Sequence, residues 1–262
     1  MILVNETKLK ITMFPNGEQK IKIPWLENKN YITLKWESDQ DFINLMFLKH
    51  YLDDHGRGEV FLSILYFPYS RMDRQVGGDL FTLKSLCKFI NYLHFSRVVI
   101  HEPHSDVTPA LLDRCLVINT TMELFCHFEK SIAKPDFVFY PDAGAQKRYY
   151  TGRYPNLVGN KVRNKEIGHI ERYDIIGSIQ EKVKNKTVVI LDDLSSYGGT
   201  FIHAAKALKK LGAGNIYLIV AHAEESILKG EVFSSGLIKK VLTTDSIIDI
   251  TRANDQLLIN EI

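Results

Sequence analysis

The sequence has few cysteines and tryptophans, almost no net charge and few long apolar runs. Only three of the 262 residues are cysteine and two are tryptophan, and 33 basic against 31 acidic side chains leave a formal charge of +2. Cys87, Cys115 and Cys126 are widely spaced and lie next to apolar residues. This excludes a disulfide framework and a zinc-ligand pattern, so we expect reduced core thiols in a cytoplasmic protein.

The near-balance of charge gives no ground for a nucleic-acid or membrane-surface partner, and we expect neither. No apolar stretch is long enough to span a bilayer, and residues 1–4 are followed by polar residues, so we expect no transmembrane helix and no signal peptide. The composition that is present, 45% hydrophobic and 24% charged residues, is typical of a globular protein with a sizeable core.

Apolar runs and amphipathic stretches alternate along the chain. Runs typical of buried strands lie at 60–67, 97–100, 137–140, 188–191, 216–220 and 240–242, and stretches with helical spacing lie at 41–51, 80–93 and 201–211. Lys134 and Pro135 interrupt the pattern, which then restarts. The alternation predicts two α/β domains with mainly parallel sheets, residues 1–133 and 134–262.

The stretch at 187–201 organises the rest of the chain. Its apolar residues end in two adjacent carboxylates, Asp192 and Asp193, and a short polar turn with Gly198 and Gly199 leads into an amphipathic helix. Ligands of open α/β sheets bind at the carboxyl ends of strands, and a glycine turn at a helix N-terminus offers N–H groups and a favourable dipole to a phosphate. Two acids beside that turn can hold sugar hydroxyls, so these residues predict a sugar-phosphate ligand.

Other predicted strands also end in polar residues. The segment at 14–18 carries an Asn-Gly pair, and on local grounds it is a hairpin turn. Arg71 and Arg74 flank Asp73 after the strand at 60–67, and the two arginines form either a phosphate clamp or, with the acid, a surface salt-bridge loop. His104 is either a surface residue or a metal or phosphate contact, and Asp142 follows the strand at 137–140.

With these pieces located, the chain resembles the ribose-phosphate pyrophosphokinases, also called phosphoribosyl pyrophosphate synthetases. Six motifs stand in the family's order and together span almost the whole chain. By this resemblance Phe14, Asn16 and Glu18 bind the adenine of ATP, with the phenylalanine stacked on the base. Arg71 and Asp73 fall in the segment whose arginine contacts the ATP phosphates.

The remaining motifs carry the metal, the catalytic arm and the acceptor. The resemblance implies that His104 and Asp142 bind Mg²⁺, with His104 also contacting ATP, and that Lys161 and Arg163 lie on a flexible catalytic arm. Both domains are expected to have the phosphoribosyltransferase-type fold. The residues that the resemblance assigns to the ribose phosphate are Asp192, Asp193, Ser195, Ser196, Tyr197, Gly198, Gly199 and Thr200.

The activity that the resemblance implies is Mg²⁺-dependent transfer of the β,γ-diphosphate of ATP to the anomeric hydroxyl of ribose 5-phosphate, with release of AMP. Arg71, Lys161 and Arg163 would neutralise the transferring group, and no residue stands out as a general base. Because adenine is bound partly across a subunit interface in the family, a homo-oligomer is also expected.

The sequence departs from the family at several positions. Met72 replaces a glutamine, Glu102 replaces an aspartate, and Ser196 and Tyr197 stand where the phosphate loop has an aspartate and a threonine. A loop with one acid fewer and an added tyrosine suits an acceptor that extends beyond its 5-phosphate. Some phage relatives of the family pyrophosphorylate ADP-ribose in NAD⁺ salvage, so ADP-ribose is the alternative acceptor.

Two other classes of protein stay open at this point. A phosphoribosyltransferase, which joins the activated sugar to a base, would have the same acceptor loop, although the adenine motif and the doubled domain favour the diphosphokinase. An inactive regulatory paralogue would be expected to lack the cations of the arm, and Lys161 and Arg163 are both present.

Overall fold

The computed structural model describes residues 1–56, 58–163, 170–176 and 180–262, with 161–163, 170–172, 180 and 181 described by their backbone alone. The chain forms two compact units, Met1–Ile118 and Asn119–Ile262, called unit 1 and unit 2 below. Among the helices of the described residues, none is both long enough and apolar enough to cross a bilayer.

Unit 1 is built on a mixed sheet and a separate hairpin. Its strands are β1 (Ile2–Val4), β2 (Thr7–Lys8), β3 (Lys10–Met13), β4 (Gln19–Lys22), β5 (Lys29–Leu34), β6 (Glu59–Ile64), β7 (Arg97–His101) and β8 (Cys115–Ile118), and its helices are α1 (Gln40–Asp54), α2 (Thr82–Tyr92) and α3 (Val107–Leu111). The sheet order is β2-β1-β5-β6-β7-β8, and β3 pairs only with β4. Strands β5 to β8 are parallel, whereas β1 is antiparallel to both β2 and β5.

The helices of unit 1 pack on one face of its sheet. From β5 to β8 the chain moves across the sheet in a single direction, so right-handed connections place α1, α2 and α3 on the same side. Leu45 of α1 and Leu86 of α2 share a core cluster with Ile32, Leu62 and Ile100. Side chains on the opposite face of these strands are less buried, and the exposed fraction of the Tyr31 side chain is 58%.

Unit 2 contains a larger sheet. Its strands are β9 (Phe137–Tyr140), β10 (Asn156–Arg163), β11 (Ile170–Ile176), β12 (Val188–Ser195), β13 (Ile216–Ala223), β14 (Lys240–Thr244) and β15 (Leu257–Asn260), its helices are α4 (Thr120–Ser131), α5 (Ala143–Tyr149) and α6 (Gly199–Lys210), and short 3₁₀ turns lie at Gln180–Val183, Glu225–Lys229 and Ile250–Arg252. The order is β11-β10-β9-β12-β13-β14-β15. The paired strands are parallel except β10 and β11.

Both faces of the unit 2 sheet are covered. From β9 the chain passes through α5 to β10 on one side, whereas β12 leads through α6 to β13 on the other side, so right-handed connections place α5 and α6 on opposite faces. Ile190 of β12 belongs to the core cluster that includes Leu208 of α6. Its neighbour Val189 belongs to a second cluster, with Phe125 of α4 and Tyr149 of α5.

The predicted fold class, two α/β domains with mainly parallel sheets flanked by helices, is confirmed. The division between the compact units falls after Ile118, ahead of the boundary predicted at residues 133–134. The physical reason is helix α4, whose Leu124, Phe125 and Phe128 pack with the strands of unit 2. All three cysteines are free thiols, and burial raises the pKa of Cys87 to about 12.

Two local predictions were wrong. Helix α5 begins at Ala143 rather than at Lys147, because Asp142 caps its N-terminus, and this places Lys147 in the last turn. Part of the polar stretch after residue 164, predicted as a loop or irregular arm, forms strand β11 against β10. The hairpin turn at 14–18 is confirmed, with the Phe14 N–H donating to the Glu18 carbonyl at 2.8 Å.

Candidate functional site

Three aspartates lie where the strand order of unit 2 reverses. The chain leaves β9 toward one edge of the sheet and leaves β12 toward the other, and these two strands are neighbours. Asp142 follows β9 after Pro141, and Asp192 and Asp193 lie inside β12, which continues to Ser195. In open α/β sheets the crevice at such a reversal, outside the carboxyl ends of the strands, is where ligands bind.

Each of these aspartates makes a hydrogen bond or an ionic contact with a neighbouring residue. The Asp142 Oδ1 atom accepts the Ala145 N–H at 3.0 Å as the cap of α5. The Asp193 N–H donates to Asp192 Oδ1 at 3.0 Å. On the other side of Asp193, Oδ2 lies 4.0 Å from Nη1 of Arg148 on α5. The carboxylates are therefore fixed by the termini of α5 and by the strand itself.

The aspartates affect one another's ionisation. The pKa of Asp192 is raised, first because burial disfavours its charged form, and then by the negative charge and a hydrogen bond of Asp193 and the charge of Asp142. The charges of Asp142 and Asp192 add to burial in raising the pKa of the Tyr173 hydroxyl. A bound cation or a set of hydroxyl donors would relieve this excess of negative charge, which is the property expected of a site for a sugar and a metal.

The aspartates suit Mg²⁺ in kind, because that ion prefers carboxylate oxygens and retains water ligands. Within the described residues, no group of three or more His, Cys, Asp or Glu side chains has the arrangement of a protein-only metal site. Of the two predicted metal ligands, Asp142 lies in unit 2 and His104 in unit 1. Their joint role in binding Mg²⁺ therefore stays a prediction.

Two glycines shape the loop from β12 to α6, Gly198 within it and Gly230 packed against it. Gly198 has a φ of 79°, in the left-handed region, and a Cβ added there would collide with Cγ2 of Val232. A Cβ added at Gly230 would collide with the Tyr197 carbonyl oxygen. The buried Ser195 donates its hydroxyl to the Ser196 carbonyl at 3.3 Å. The segment 230–232 thus fixes the shape of the loop from behind.

The front of the same loop is open. A Cβ added at Gly199 would meet nothing within 4 Å, and Thr200 follows it in the first turn of α6. The Tyr197 side chain is 62% exposed. Because the first N–H groups of a helix have no partner within the helix, an open loop here can admit a phosphate.

The predicted ATP-binding residues of unit 1 lie at separate points of that unit. Phe14 is half exposed at the tip of the β3–β4 hairpin, where Asn16 Oδ1 accepts the Glu18 N–H at 3.1 Å. Arg71 and Asp73 lie in the turn segment after β6, and His104 is exposed after β7. Their assignments to ATP stay predictions.

The two predicted arm cations, Lys161 and Arg163, stand in β10, and the sequence alone did not predict their neighbour Tyr173. The backbone of Lys161 pairs with Tyr173 of β11 and that of Arg163 with Ile170, while the side chains of Lys161 and Arg163 lie outside the described part of the chain. Tyr173 was missed because it lies in the poorly patterned polar stretch, and Arg148 because it was placed at the start of a helix. The alternation of polar and apolar residues at 172–175 is the signal that could have indicated a strand.

The comparisons with known proteins agree with this geometry. No family model matches the chain. The ribose-phosphate pyrophosphokinase of Sulfurisphaera tokodaii is 26% identical over 260 residues, which cover 94% of this chain and 87% of that protein. The protein of the same name from Mycoplasma genitalium is 28% identical over 261 residues, 93% of this chain and 76% of that one. The crystal structure of phosphoribosylpyrophosphate synthetase from Mycobacterium smegmatis matches with a TM-score of 0.79 at 18% identity, covering 97% of this chain and 86% of that chain.

The fold is therefore that of a chain with two phosphoribosyltransferase-like domains, each a mainly parallel sheet flanked by helices. Within that class the chain is a relative of the ribose-phosphate pyrophosphokinases along most of its length. The resemblance predicted from the motifs is confirmed, and it supports the predicted enzyme class, a ribose-phosphate diphosphokinase.

Proposed function

We propose that this chain transfers the β,γ-diphosphate of ATP to the anomeric hydroxyl of ribose 5-phosphate, giving phosphoribosyl pyrophosphate and AMP, with Mg²⁺ as cofactor. The observation that carries the proposal is the run from Asp192 and Asp193 into the glycine loop of α6, at the reversal of strand order in unit 2. The names of the relatives that match most of the chain support the same reaction.

The reaction is an in-line displacement at the β-phosphorus of ATP. The anomeric oxygen forms a bond to that phosphorus while the bond to the oxygen bridging the α- and β-phosphates breaks, so AMP leaves and the hydroxyl proton passes to solvent. Such a reaction depends mainly on positioning and on neutralising the charge that develops. Lys161, Arg163 and Arg71 are the cations assigned to that charge.

The residues of unit 2 would bind the acceptor. Asp192 and Asp193 accept hydrogen bonds from ribose hydroxyls, and the open start of α6 at Gly199 and Thr200 receives the 5-phosphate. Asp142 would hold Mg²⁺ at the same carboxyl edge of the sheet, and the ion would supply positive charge to the phosphates of ATP. A hydroxyl donor or a cation near Asp192 also lowers the electrostatic penalty that raises its pKa.

The test is product analysis by mass spectrometry with ATP, Mg²⁺ and one acceptor at a time. We expect AMP and phosphoribosyl pyrophosphate in equal amounts with ribose 5-phosphate, and no AMP without an acceptor. A reaction that consumes phosphoribosyl pyrophosphate and a base, with no AMP formed from ATP, would instead identify a phosphoribosyltransferase. No turnover of any of these mixtures would support an inactive paralogue.

A specific observation favours ADP-ribose as the second candidate acceptor. Tyr197 is exposed beside the open face of Gly199, where a group attached to the 5-phosphate would leave the loop. If ADP-ribose is the acceptor, the same assay yields AMP and an ADP-ribose pyrophosphate, and replacing Tyr197 by alanine lowers kcat/KM for ADP-ribose more than for ribose 5-phosphate. Equal losses for the two acceptors would remove the argument from Tyr197.

We also propose that the protein is a cytoplasmic homo-oligomer. The half-exposed Phe14 at the tip of a hairpin is placed to meet a ligand or a second protomer rather than its own core. Light scattering coupled to gel filtration tests this, and a strict monomer that still binds ATP would contradict the assignment of adenine to a subunit interface.

A further inference from the structure

Tyr173 joins two parts of the candidate site that come from different stretches of sequence. In the antiparallel pairing of β10 and β11 it stands opposite Lys161, the first of the predicted arm cations. Its hydroxyl donates a hydrogen bond to the Pro141 carbonyl at 3.1 Å. Pro141 immediately precedes Asp142, the predicted Mg²⁺ ligand. One side chain therefore links the strand of the arm to the peptide that carries the carboxylate.

The neighbouring glycine of β10 leaves space for this link. A Cβ added at Gly159 would lie 2.6 Å from the Pro141 carbonyl oxygen and 2.7 Å from the ring carbon of Tyr173 that bears the hydroxyl. Contacts at these distances do not occur in relaxed structures, so any larger residue at Gly159 must displace the tyrosine or the 141–142 peptide. The requirement here is for space, since the φ of Gly159 is outside the left-handed region.

Other elements hold the ring of Tyr173 in this position. It packs near His203 of α6, with 6.5 Å between ring centroids and 25° between ring planes, and near Phe139 of β9 at 6.4 Å. Helix α6 is also the helix whose start forms the glycine loop. The ring thus lies against the strand that leads to Asp142 and the helix that begins at the glycine loop.

We propose that Tyr173 is a positioning residue, whose hydrogen bond to Pro141 holds the peptide of Asp142 at a fixed distance from the strand that carries Lys161 and Arg163. This inference rests on the proposed function, in which that carboxylate and those cations act on the same phosphates. The Asp142 side chain is oriented separately by the Ala145 N–H, so Tyr173 acts on its backbone.

The chemistry of the phenol suits a permanent link. Burial and the charges of Asp142 and Asp192 raise the pKa of Tyr173, so the hydroxyl keeps its proton at neutral pH. The Pro141 carbonyl can only accept a hydrogen bond, and a phenol that keeps its proton can donate one at every pH in the working range.

The test compares Tyr173→Phe with Tyr154→Phe in the full-length protein. The Tyr154→Phe substitution also removes one hydroxyl hydrogen bond in unit 2, which Tyr154 donates to Glu129 Oε1 at 2.6 Å. Glu129 lies on helix α4, away from the three aspartates. We expect Tyr173→Phe to lower kcat about tenfold, because misplaced catalytic groups are costly, with the KM for ATP changed less than about twofold. Tyr154→Phe should keep the parent kcat, and Gly159→Ala should reproduce the Tyr173→Phe loss.

Amide hydrogen exchange provides a second measurement that does not depend on enzyme activity. Amide hydrogen exchange should become faster in Tyr173→Phe at both 143–149 and 156–160, and in Tyr154→Phe at neither or at only one of them. A Tyr173→Phe protein with parent kcat, or with exchange unchanged in these two segments, would overturn the proposal. If the parent itself makes no AMP, the proposed function fails, and the exchange result alone then decides whether Tyr173 holds the two segments together.

Discussion

The sheets of the two units differ in how many faces they bury. In unit 1 the strand β6 alternates buried and less buried side chains, whereas all residues of β9 and β13 in unit 2 are buried. Alternation is typical of a sheet with one covered face, and continuous burial of a sheet with helices on both faces. The cause is topological, because the parallel strands of unit 1 progress in one direction and those of unit 2 progress in two.

The difference between the two sheets explains why a carboxylate with a raised pKa is found in unit 2. The reversal of strand order in unit 2 creates the crevice between β9 and β12, and Asp192 enters it from a strand whose preceding residues are fully buried. The carboxylate therefore has a raised pKa, which is a cost to stability that a bound ligand can offset. A two-sided sheet can thus hold a more strongly perturbed site than a one-sided sheet.

The largest expected effect is on Asp192. We predict that Asp192→Asn lowers turnover at least about 100-fold, because a ribose hydroxyl loses its charged acceptor, and that it raises the melting temperature at pH 7. Since the folded-state pKa is raised, the carboxylate destabilises the fold increasingly as pH rises above about 4, so the stability gain should vanish near pH 4. Thermal melts of parent and variant at the two pH values measure this.

Asp136 of unit 2 serves as a control, because its pKa is shifted in the opposite direction from that of Asp192. Its pKa is lowered, first by the hydrogen bond from the Thr187 N–H at 2.9 Å and then by Lys186, so its charged form stabilises the fold. Asp136→Asn should lower the melting temperature at pH 7, and the difference should shrink as pH falls through the lowered pKa. If both substitutions shift the melting temperature at pH 7 in the same direction, the account of Asp192 is wrong.

The second prediction concerns the shape of the acceptor loop. Gly198→Ala should raise the KM for the acceptor roughly tenfold or more, because the left-handed backbone and the collision with Val232 force the loop to move. Gly236→Ala is the matched control, with a φ of +66° and nothing within 4 Å of the added Cβ. Steady-state kinetics should separate them, and a KM for the acceptor that is no higher in Gly198→Ala than in Gly236→Ala would contradict the role of Gly198 in the loop.

The third prediction tests the comparison of the sheets directly with four Val→Ala variants. Val188 and Val189 are consecutive in β12 and both fully buried, so each substitution should destabilise unit 2 by about 2 kcal/mol. In β7 of unit 1, Val98→Ala should have a similar effect, whereas Val99→Ala, on the less covered face, should cost less than about 1 kcal/mol.

Urea unfolding can follow the two units separately. Both tryptophans, Trp25 and Trp36, lie in unit 1, so their fluorescence reports that unit, while amide exchange reports unit 2. Equal losses from Val98→Ala and Val99→Ala would mean that the second face of the unit 1 sheet is covered in solution.

The smallest expected effect is a pH dependence of unit 1 that is opposite to that of Asp192. Burial lowers the pKa of His101, whose Nε2 lies 3.2 Å from the Ser63 hydroxyl. Because the folded pKa lies below the unfolded value, the stability of unit 1 should fall as pH drops through about 6.5 toward the folded pKa. Tryptophan-monitored urea titrations should show a smaller drop in His101→Gln, and an equal drop would assign the pH dependence to other groups.

Much of the fold followed from the sequence, because long apolar runs and amphipathic helices report burial directly. The strands at 97–100, 137–140 and 216–220 lie within β7, β9 and β13, and the helix predicted at 201–211 overlaps α6. The acid pair and glycine loop were recognisable because strand, carboxylates, turn and helix are contiguous in the chain.

The features that the sequence did not predict depend on contacts between residues that are distant in the chain. Helix α4 has no local feature that assigns it to one unit, so the boundary was placed after it rather than before it. Strand β11 lies in a largely polar stretch of the sequence, and it is recognised through its pairing with β10 and the packing of Tyr173 and Ile175 on the core. Tyr173 and Gly159 have significance only as a pair, through a steric contact across two strands.

The acceptor loop has a further consequence for how this protein could be changed. Its backbone is set by Gly198, Gly230 and Val232, which pack behind it, whereas the Tyr197 side chain projects into solvent at the front. Shape and surface chemistry are thus encoded by different residues. Under the proposed function, we expect mutations at residues 196 and 197 to alter the acceptor range while the scaffold stays intact, a separation that would favour both natural divergence and directed evolution.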